Sequence, residues 1–234
     1  AIQSMGLRDV APFDPAEKVL AMPSVKGQLV RKATFDFVDE VSRDTPAPGG
    51  GSVSALAGAL GAALAAMVAN LSIGKGEYDD QYQELSDLAD AAQEIKDALV
   101  RGVDEDTEAF DEVIAGMRMP KDTPEERRIR SLAIQEGYKA ATRVPLGTVE
   151  RCRDALRLCV KMVKVAPEEM MSDVGTGALV ARAGLMGAAY NVRINLKSIN
   201  DEAFGQEMMD RLSGLVDEGE TLAREVEAVM EDAL

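Results

Sequence analysis

Histidine is absent from this chain of 234 residues. Its absence excludes the catalytic arrangements in which an imidazole moves the proton, namely the Ser-His-Asp triad and the Cys-His dyad. It also excludes every zinc site that has a histidine ligand. Proton transfer near neutral pH would therefore fall to another side chain, above all to a carboxyl group whose pKa is raised by burial.

Cysteine is almost absent, since the chain has only Cys152 and Cys159. They lie seven positions apart in a predicted helix, which separates their Cα atoms by about 10 Å along the axis. A disulfide needs about 4.4–6.8 Å, so the pair cannot bridge within this helix. Two thiols are also too few for a closed structural zinc site. We therefore interpret both as core residues of a cytoplasmic protein and expect no metal site.

Positive charge is in short supply. The chain has 26 Lys and Arg against 41 Asp and Glu, which gives a formal net charge of -15. This charge argues against nucleic-acid binding driven by phosphate contacts. It should also repel anionic membrane surfaces. An anionic substrate would need a local basic patch.

Helix-forming residues, by contrast, are abundant. Aromatic residues make up only 4% of the chain and Trp is absent, whereas Ala, Leu, Met, Glu, Lys and Arg are frequent. This composition favours helix. No strand pattern occurs, so we predict an all-α bundle of about six helices. The predicted helices cover residues 27–43, 52–73, 78–117, 124–165, 174–196 and 202–233.

Residues 1–25 differ from the rest of the chain, with three prolines and no sustained hydrophobic period. We interpret them as a linker or tail in front of one helical domain over residues 26–234. The chain begins with Ala instead of Met and shows no signal peptide, so we expect a processed form or an excised piece. Farther along, Thr123, Pro124 and Glu126 predict a capped helix start. Pro145 should kink or split the helix that follows.

The second predicted helix consists almost entirely of small residues. Its uncharged stretch over residues 53–71 would be about 28 Å long, which is enough to cross a membrane. Ala, Gly and Ser gain little from transfer into lipid, however, and every other apolar stretch is amphipathic. We therefore favour a buried central helix, or a subunit interface, over a membrane span. A ridge that admits a neighbouring helix is formed by Ser54, Gly58, Gly61, Ala65 and Ala69.

The third predicted helix carries an apolar stripe with one misplaced residue. Between Val103 and Phe110 the stripe reaches Asp106, where a carboxylate is costly unless it is paired or protonated. Burial should raise the pKa of Asp106 toward the range useful for proton transfer. Position alone leaves two interpretations open, a catalytic acid or a buried Asp that caps a neighbouring helix. We expect Asp104, beside the stripe, to be solvated.

The fifth predicted helix places two amides on a face of glycines. Asn191 and Asn195 follow Gly184 and Gly187 at spacings of three and four residues. Amides both donate and accept hydrogen bonds, so they can recognise a planar heterocycle. Hydrogen bonding between tightly packed helices explains them equally simply. Asp173, just before this helix, is interpreted as an N-cap.

The segment PGGGS, residues 48–52, opens the small-residue helix. Three glycines allow close approach of the backbone, and free N–H groups at a helix start favour an anion or a carbonyl oxygen. The segment lacks the GKS or GKT ending and the preceding strand of a phosphate loop. At the other end of the helix, Lys75 lies in a glycine-flanked turn.

Taken together, these segments resemble one known family. The motifs are TPAPGGGSVSALAGALGAALAAMVANLSIGK, VDEDTEAF, MPKDTPEE and SDVGTGALVARAGLMGAAYNVRINL, and they occur in the family's order over about residues 27–234. They resemble the C-terminal family of formiminotransferase-cyclodeaminases, which includes formimidoyltetrahydrofolate cyclodeaminases and methenyltetrahydrofolate cyclohydrolases. The first 25 residues resemble the end of a glutamate formiminotransferase. A fusion or partnership with such a domain is therefore implied.

The resemblance implies an all-helical fold that forms a homodimer or higher oligomer, with folate bound near the subunit interface. It implies an ammonia-lyase of folate one-carbon metabolism and histidine degradation that needs no cofactor besides its folate substrate. The alternatives are a methenyltetrahydrofolate cyclohydrolase and a non-catalytic helical dimerisation module.

The resemblance also implies roles for individual residues. Asp106 would shuttle protons, with Asp104 as the second candidate. Lys75 would meet a carboxylate of the folate's glutamate tail, which can be polyglutamylated, and an arginine cluster (Arg127, Arg128 and Arg130) is a second candidate for that task. The residues expected to contact the rest of the folate or order its site are Gly50, Gly51, Ser52, Asp173, Asn191 and Asn195.

Overall fold

The structure is a computed structural model of the chain and describes residues 29–73 and 76–233. Within these ranges the chain forms six α-helices and no β-strand, which confirms the predicted all-α fold. The predicted tail over residues 1–25 lies outside the described residues. The helices are α1 (Thr34–Val41), α2 (Gly50–Ser72), α3 (Tyr82–Arg118), α4 (Pro124–Val165), α5 (Met171–Leu196) and α6 (Glu202–Ala233), and short 3-10 turns at Gly76–Gln81 and Glu168–Met170 precede α3 and α5.

Helix α2 is the central element and packs against α3, α4 and α5. Glycines bring it close to α5. A Cβ atom at Gly61 would lie 2.7 Å from the carbonyl oxygen of Gly177, and one at Gly184 would lie 2.7 Å from that of Ser54. Any larger residue would push these two helices apart. All five residues of the predicted small-residue ridge are buried, and the neighbour they admit is a helix of the same chain.

Helix α2 is also the one helix in the described part of the chain that is long and apolar enough to cross a membrane. Of its most apolar stretch, 61% is buried inside the protein. Helices of a soluble core pass the same test of length and composition. Packing against the surrounding helices therefore accounts for most of the apolar character of α2.

Helix α4 begins and ends where predicted, at Pro124 and Val165, but it is not divided at Pro145. The hydroxyl of Thr123 accepts the N–H of Glu126, and the carboxylate of Glu126 accepts the N–H of Thr123, so the capping box is confirmed. Pro145 lies inside the helix, which continues as one element. The prediction that Pro145 would split it is wrong. Pro145 is buried. The carbonyl that its missing N–H would have bonded receives another donor, as described below.

The two cysteines are core residues, as predicted. Cys152 and Cys159 are fully buried on α4. The sulfur of Cys152 lies against Gly58 of α2 and Gly184 of α5, where it fills space that these glycines leave. Burial raises the pKa of each thiol to about 12, so both stay protonated at neutral pH.

Candidate active site

A pocket of about 300 Å³ lies where the start of α2 meets α3, α4 and the end of α5. Its wall brings together residues that are far apart in the sequence, including several singled out above. Among the described residues of the wall, Asp106 is the only one with a formal charge, and none is basic. The lining residues are Pro46, Ala47, Gly49, Gly50, Asp106, Phe110, Tyr138, Ala141, Asn191, Ile194, Asn195 and Ser198.

Asp106 lies half-buried between this pocket and the first turn of α2. Burial raises the pKa of its carboxyl group, while the hydroxyl and the backbone N–H of Ser52 act in the opposite direction. The predicted direction of the pKa shift is therefore confirmed. The two interpretations left open by its position do not exclude each other. The carboxyl group meets the start of a neighbouring helix and also reaches the pocket.

Gly51 leaves the space that the Asp106 carboxyl group occupies. A Cβ atom at Gly51 would lie 2.6 Å from Oδ2 of Asp106 and closer still to Oδ1 and Cγ. Even an alanine would thus collide with the carboxyl group. The glycine is required here by this close approach of side chain to backbone.

Ser52 lies behind Asp106 and not on the pocket wall. Its side chain is fully buried, and its hydroxyl lies 2.9 Å from the carbonyl oxygen of Val103 and 3.1 Å from Oδ2 of Asp106. The hydroxyl of Thr107 lies 3.3 Å away. Of the three PGGGS residues expected to contact a substrate, only Gly50 lines the pocket, whereas Gly51 and Ser52 contact Asp106.

Asp104 is buried, so the expectation that it is solvated is wrong. Its carboxylate accepts the backbone N–H of Leu29 at 2.8 Å and that of Val30 at 3.3 Å. These contacts hold the segment before α1 against α3. Helix α1 begins at Thr34, and residues 29–33 are not helical, so the predicted first helix over residues 27–43 is too long. Asp104 is not among the residues that line the pocket.

Asn195 compensates for the proline inside α4. In a helix the N–H of residue 145 would bond the carbonyl of Ala141, but Pro145 has no N–H to give. The side-chain amide of Asn195 donates to that carbonyl at 2.6 Å. Asn195 is thus an interhelical hydrogen-bonding residue, and it lines the pocket as well.

Asn191 lines the pocket one turn earlier on α5. Its amide nitrogen donates to the carbonyl of Gly187, 2.9 Å away in the same helix. A Cβ atom at Gly50 would lie 3.1 Å from that nitrogen, so the first turn of α2 and this amide are in close contact. Because the amide nitrogens of both asparagines donate to backbone carbonyls, the orientation of each side chain is fixed by the protein.

Two of the sequence predictions are not brought to this pocket. Asp173 lies in the first turn of α5, 18 residues before Asn191, which is about 27 Å along the helix. Its interpretation as an N-cap is wrong, because α5 begins at Met171 and Met170 occupies the cap position. Lys75 lies outside the described residues.

The second is the arginine cluster, which stabilises the turn between α3 and α4. Arg130 donates to the carbonyl of Met117, and Arg127 donates to the carbonyls of Lys121 and Asp122. Arg128 forms an exposed ion pair with Glu125. These arginines stabilise the connection between two helices.

Phe110 and Tyr138 are pocket residues that sequence reasoning missed. Phe110 belongs to the stripe of α3 and was assigned to the core. It follows Asp106 by four residues, so the two share one face of the helix. Tyr138 comes from α4, and no local signal in the sequence marks it. Together they give the pocket two aromatic walls beside one carboxyl group and two amides.

Comparisons with known proteins show the family and the fold of the chain. The family model described as formiminotransferase-cyclodeaminase matches residues 34–214, a range that contains the whole pocket. A solved structure of formiminotetrahydrofolate cyclodeaminase from Thermotoga maritima superposes with a TM-score of 0.79 at 28% identity. The match covers 88% of this chain and 98% of that chain.

Curated relatives fall into two groups. A methenyltetrahydrofolate cyclohydrolase of Methylorubrum extorquens is 38% identical over 80% of this chain and 89% of its own length. Formimidoyltransferase-cyclodeaminases of Rattus norvegicus and Gallus gallus are 34% identical over 95% and 98% of this chain. The chain spans only 42% and 43% of the length of these two relatives.

Proposed function

This chain belongs to the formiminotransferase-cyclodeaminase family, and on that premise we propose that it is a formimidoyltetrahydrofolate cyclodeaminase, an ammonia-lyase. The reaction converts 5-formimidoyltetrahydrofolate to 5,10-methenyltetrahydrofolate and ammonia. The observation that carries the proposal is the Asp106 carboxyl group, which has a raised pKa and lines a pocket with two aromatic residues and two amides. No histidine is present to take its place.

The first task of such a site is to bring N10 of the folate against the formimidoyl carbon on N5. Both atoms belong to one molecule, so a fixed conformation supplies on the order of several kcal/mol of the acceleration. In the proposed complex Phe110 and Tyr138 hold the planar rings. Each amide nitrogen already donates one N–H to a backbone carbonyl. Asn191 and Asn195 therefore offer an amide oxygen and a second N–H each to the polar groups of the rings.

The second task is proton transfer. Attack of N10 on the carbon of the formimidoyl group, whose imino nitrogen is protonated, forms the N10–C bond and leaves N10 with one proton too many. The carboxylate of Asp106 accepts this proton and returns it to the amino group on the same carbon. The C–N bond then breaks, ammonia leaves, and the methenyl cation remains. One carboxyl group with a pKa raised toward neutrality can serve as base and then as acid.

The second candidate function is that of a methenyltetrahydrofolate cyclohydrolase, and the 38% identity to the Methylorubrum extorquens protein favours it. Here water would attack the methenyl carbon and Asp106 would accept the proton of that water. The same pocket serves both reactions. We rank the cyclodeaminase first because the match to the Gallus gallus relative covers 98% of this chain and so includes nearly all of the tail.

We also propose that two copies of the chain form a dimer through α2 and α5. Large apolar side chains are exposed on both of these neighbouring helices, and monomeric proteins rarely expose large contiguous apolar patches. Ile194 belongs to this surface and also lines the pocket, so a second copy would lie beside the site. The exposed residues of this apolar face are Val53, Leu60, Met67 and Leu71 on α2 and Leu179, Tyr190 and Ile194 on α5.

The glutamate tail of the folate, which can be polyglutamylated, needs cations to bind its carboxylates, and the described residues of the pocket wall supply none. In this proposal they come from Lys75 or from the second copy. A glutamate formiminotransferase domain, fused or separate, would supply the 5-formimidoyl substrate. The names of the animal relatives pair the two activities.

The proposed function is tested with the two folates separately, following the absorbance of the methenyl product. A cyclodeaminase produces methenyltetrahydrofolate and ammonia in equal amounts from 5-formimidoyltetrahydrofolate. A cyclohydrolase instead accelerates the loss of 5,10-methenyltetrahydrofolate. No change with either substrate would contradict both enzyme proposals. The non-catalytic helical dimerisation module would then be the remaining alternative.

A further inference from the structure

The hydroxyl group of Ser52 has one proton and three oxygen neighbours. It lies 2.9 Å from the carbonyl oxygen of Val103, 3.1 Å from Oδ2 of Asp106 and 3.3 Å from the hydroxyl of Thr107. The serine is fully buried, so no solvent competes for these contacts. The hydroxyl can therefore donate to only one of its neighbours at a time.

We propose that Ser52 is a positioning residue that holds the Asp106 carboxyl group in both of its protonation states. When Asp106 is ionised, the Ser52 hydroxyl donates to Oδ2. When Asp106 is protonated, its carboxyl O–H donates to the oxygen of Ser52, and the Ser52 hydroxyl rotates to donate to the carbonyl of Val103. Only hydrogens change place, and every heavy atom keeps its position.

The carbonyl of Val103 makes this exchange possible. It lies inside α3, where the N–H of Thr107 is its helical partner, so it does not require the hydroxyl of Ser52. Ser52 can therefore leave this carbonyl without exposing an unsatisfied buried acceptor. A site whose polar groups are in place before the proton moves avoids reorganisation during the reaction.

The groups that face Asp106 support this assignment. Helix α2 contributes the hydroxyl and the N–H of Ser52 and has no acidic residue in its first turn. Helix α5 contributes the neutral amides of Asn191 and Asn195, and α4 contributes Tyr138, the only other titratable group of the described pocket wall. On α3 itself, the carboxylate of Asp104 is held by the amides of Leu29 and Val30. Among the described residues that contact Asp106, Ser52 is the one whose hydroxyl reorients when Asp106 gains or loses its proton.

This inference rests on the proposed role of Asp106, but its test does not need turnover. The pKa of Asp106 is measured on the full chain without substrate by 13C NMR of its carboxyl resonance, which is assigned by its loss in Asp106→Asn. In Ser52→Ala the ionised form loses a charge-assisted hydrogen bond, so we expect the pKa of Asp106 to rise by about one pH unit. If the chain is a cyclodeaminase, the acidic limb of its pH-rate profile moves by the same amount.

Ser54→Ala is the matched control. This serine is also buried on α2, but its hydroxyl donates to the carbonyl of Gly50 and does not contact Asp106. Thr107→Val is the second variant should Ser52→Ala fail to fold. Loss of the Thr107 hydroxyl removes a partner of the Ser52 hydroxyl and should raise the pKa of Asp106 by a smaller amount. An unchanged carboxyl resonance titration in the folded variant overturns the proposal, whatever the folate assays show.

Discussion

The backbone of Gly51 lies against the carboxyl group of Asp106, so closely that a methyl group at position 51 would overlap it. We therefore predict that Gly51→Ala displaces the carboxyl group from the pocket. Misplacement of a catalytic group by about 1 Å can cost on the order of 100-fold in rate. Steady-state kinetics with the active folate measures this loss, and circular dichroism checks the fold.

Gly214→Ala is the control for Gly51→Ala. Gly214 lies inside α6 with open space where its Cβ would be. The substitution should keep full activity and stabilise the helix by about 0.5–1 kcal/mol. Wild-type activity in Gly51→Ala would show that the contact with Asp106 does not matter for catalysis.

Ionisation of Asp106 should destabilise the folded chain. The pKa of this carboxyl group is raised above 3.8 in the folded state, mainly by burial, so the folded state binds its proton more tightly than the unfolded state. The stability contributed by the protonated form is then present below pH 3.8 and is lost as pH rises through the folded-state pKa. Asparagine does not ionise, so the Asp106→Asn variant does not undergo this loss of stability. The free energy of unfolding of the variant, relative to wild type, should therefore rise between pH 4 and pH 7.

Urea denaturation at the two pH values measures the difference. Asp111→Asn removes a charge at an exposed position on the same helix, and its effect is subtracted as the contribution of charge alone. A relative stability of Asp106→Asn that falls from pH 4 to pH 7 would mean that the environment favours the ionised carboxylate.

Asn195 and Pro145 should be energetically coupled. Asn195→Ala leaves the carbonyl of Ala141 without a donor, at a cost of about 1–3 kcal/mol. Pro145→Ala returns a backbone N–H to the same carbonyl. We predict that Asn195→Ala lowers the free energy of unfolding by about 1 kcal/mol less in the Pro145→Ala background than in the wild type. A double-mutant cycle measured by urea denaturation tests this difference.

Asn191→Ala is the comparison for this cycle. The carbonyl that Asn191 contacts, that of Gly187, has a helical donor of its own in the N–H of residue 191. The cost of Asn191→Ala should accordingly be the same with and without Pro145. Additive effects of Pro145→Ala and Asn195→Ala would contradict the assigned compensation.

The fold could be predicted from the sequence because its signals are local. Helix composition, the capping box at Thr123 and the small-residue ridge of α2 each involve neighbours within a few positions. The prediction that Pro145 splits α4 was wrong, because a local reading of the sequence does not include the packing of α4 against other helices. The contact of Leu29 and Val30 with Asp104 could not be predicted from a local pattern, because these residues lie about 75 positions apart.

The site was predictable in part. Asp106 could be found because a carboxylate interrupts an otherwise apolar stripe. Tyr138 could not be found from the sequence, since its place in the pocket depends on how α4 packs against the other helices. The same holds for Asp104, whose burial depends on a segment before α1. Gly51 and Ser52 were found as a motif, but only the structure shows that they contact Asp106.

The apolar face on α2 and α5 should hold two copies of the chain together. Leu60→Glu and Tyr190→Glu place a charge in that face at positions that are 53% and 61% exposed in the single chain. We expect either substitution to shift the protein to monomers without unfolding it, as measured by size-exclusion chromatography with light scattering. Leu132→Glu, at an exposed apolar position on α4, should leave the oligomer unchanged. A wild-type chain that is monomeric at micromolar concentration would contradict the proposed dimer.

The central claim is that Asp106 carries the proton in the folate pocket. The most direct measurement compares Asp106→Asn with the exposed Asp111→Asn in both folate binding and turnover. We predict that Asp106→Asn binds the folate as wild type does but loses about 10²–10⁴-fold in kcat, the range of a lost general acid or base. Asp111→Asn should keep both properties. An Asp106→Asn variant that folds, binds folate and turns it over within a few-fold of wild type would contradict the claim.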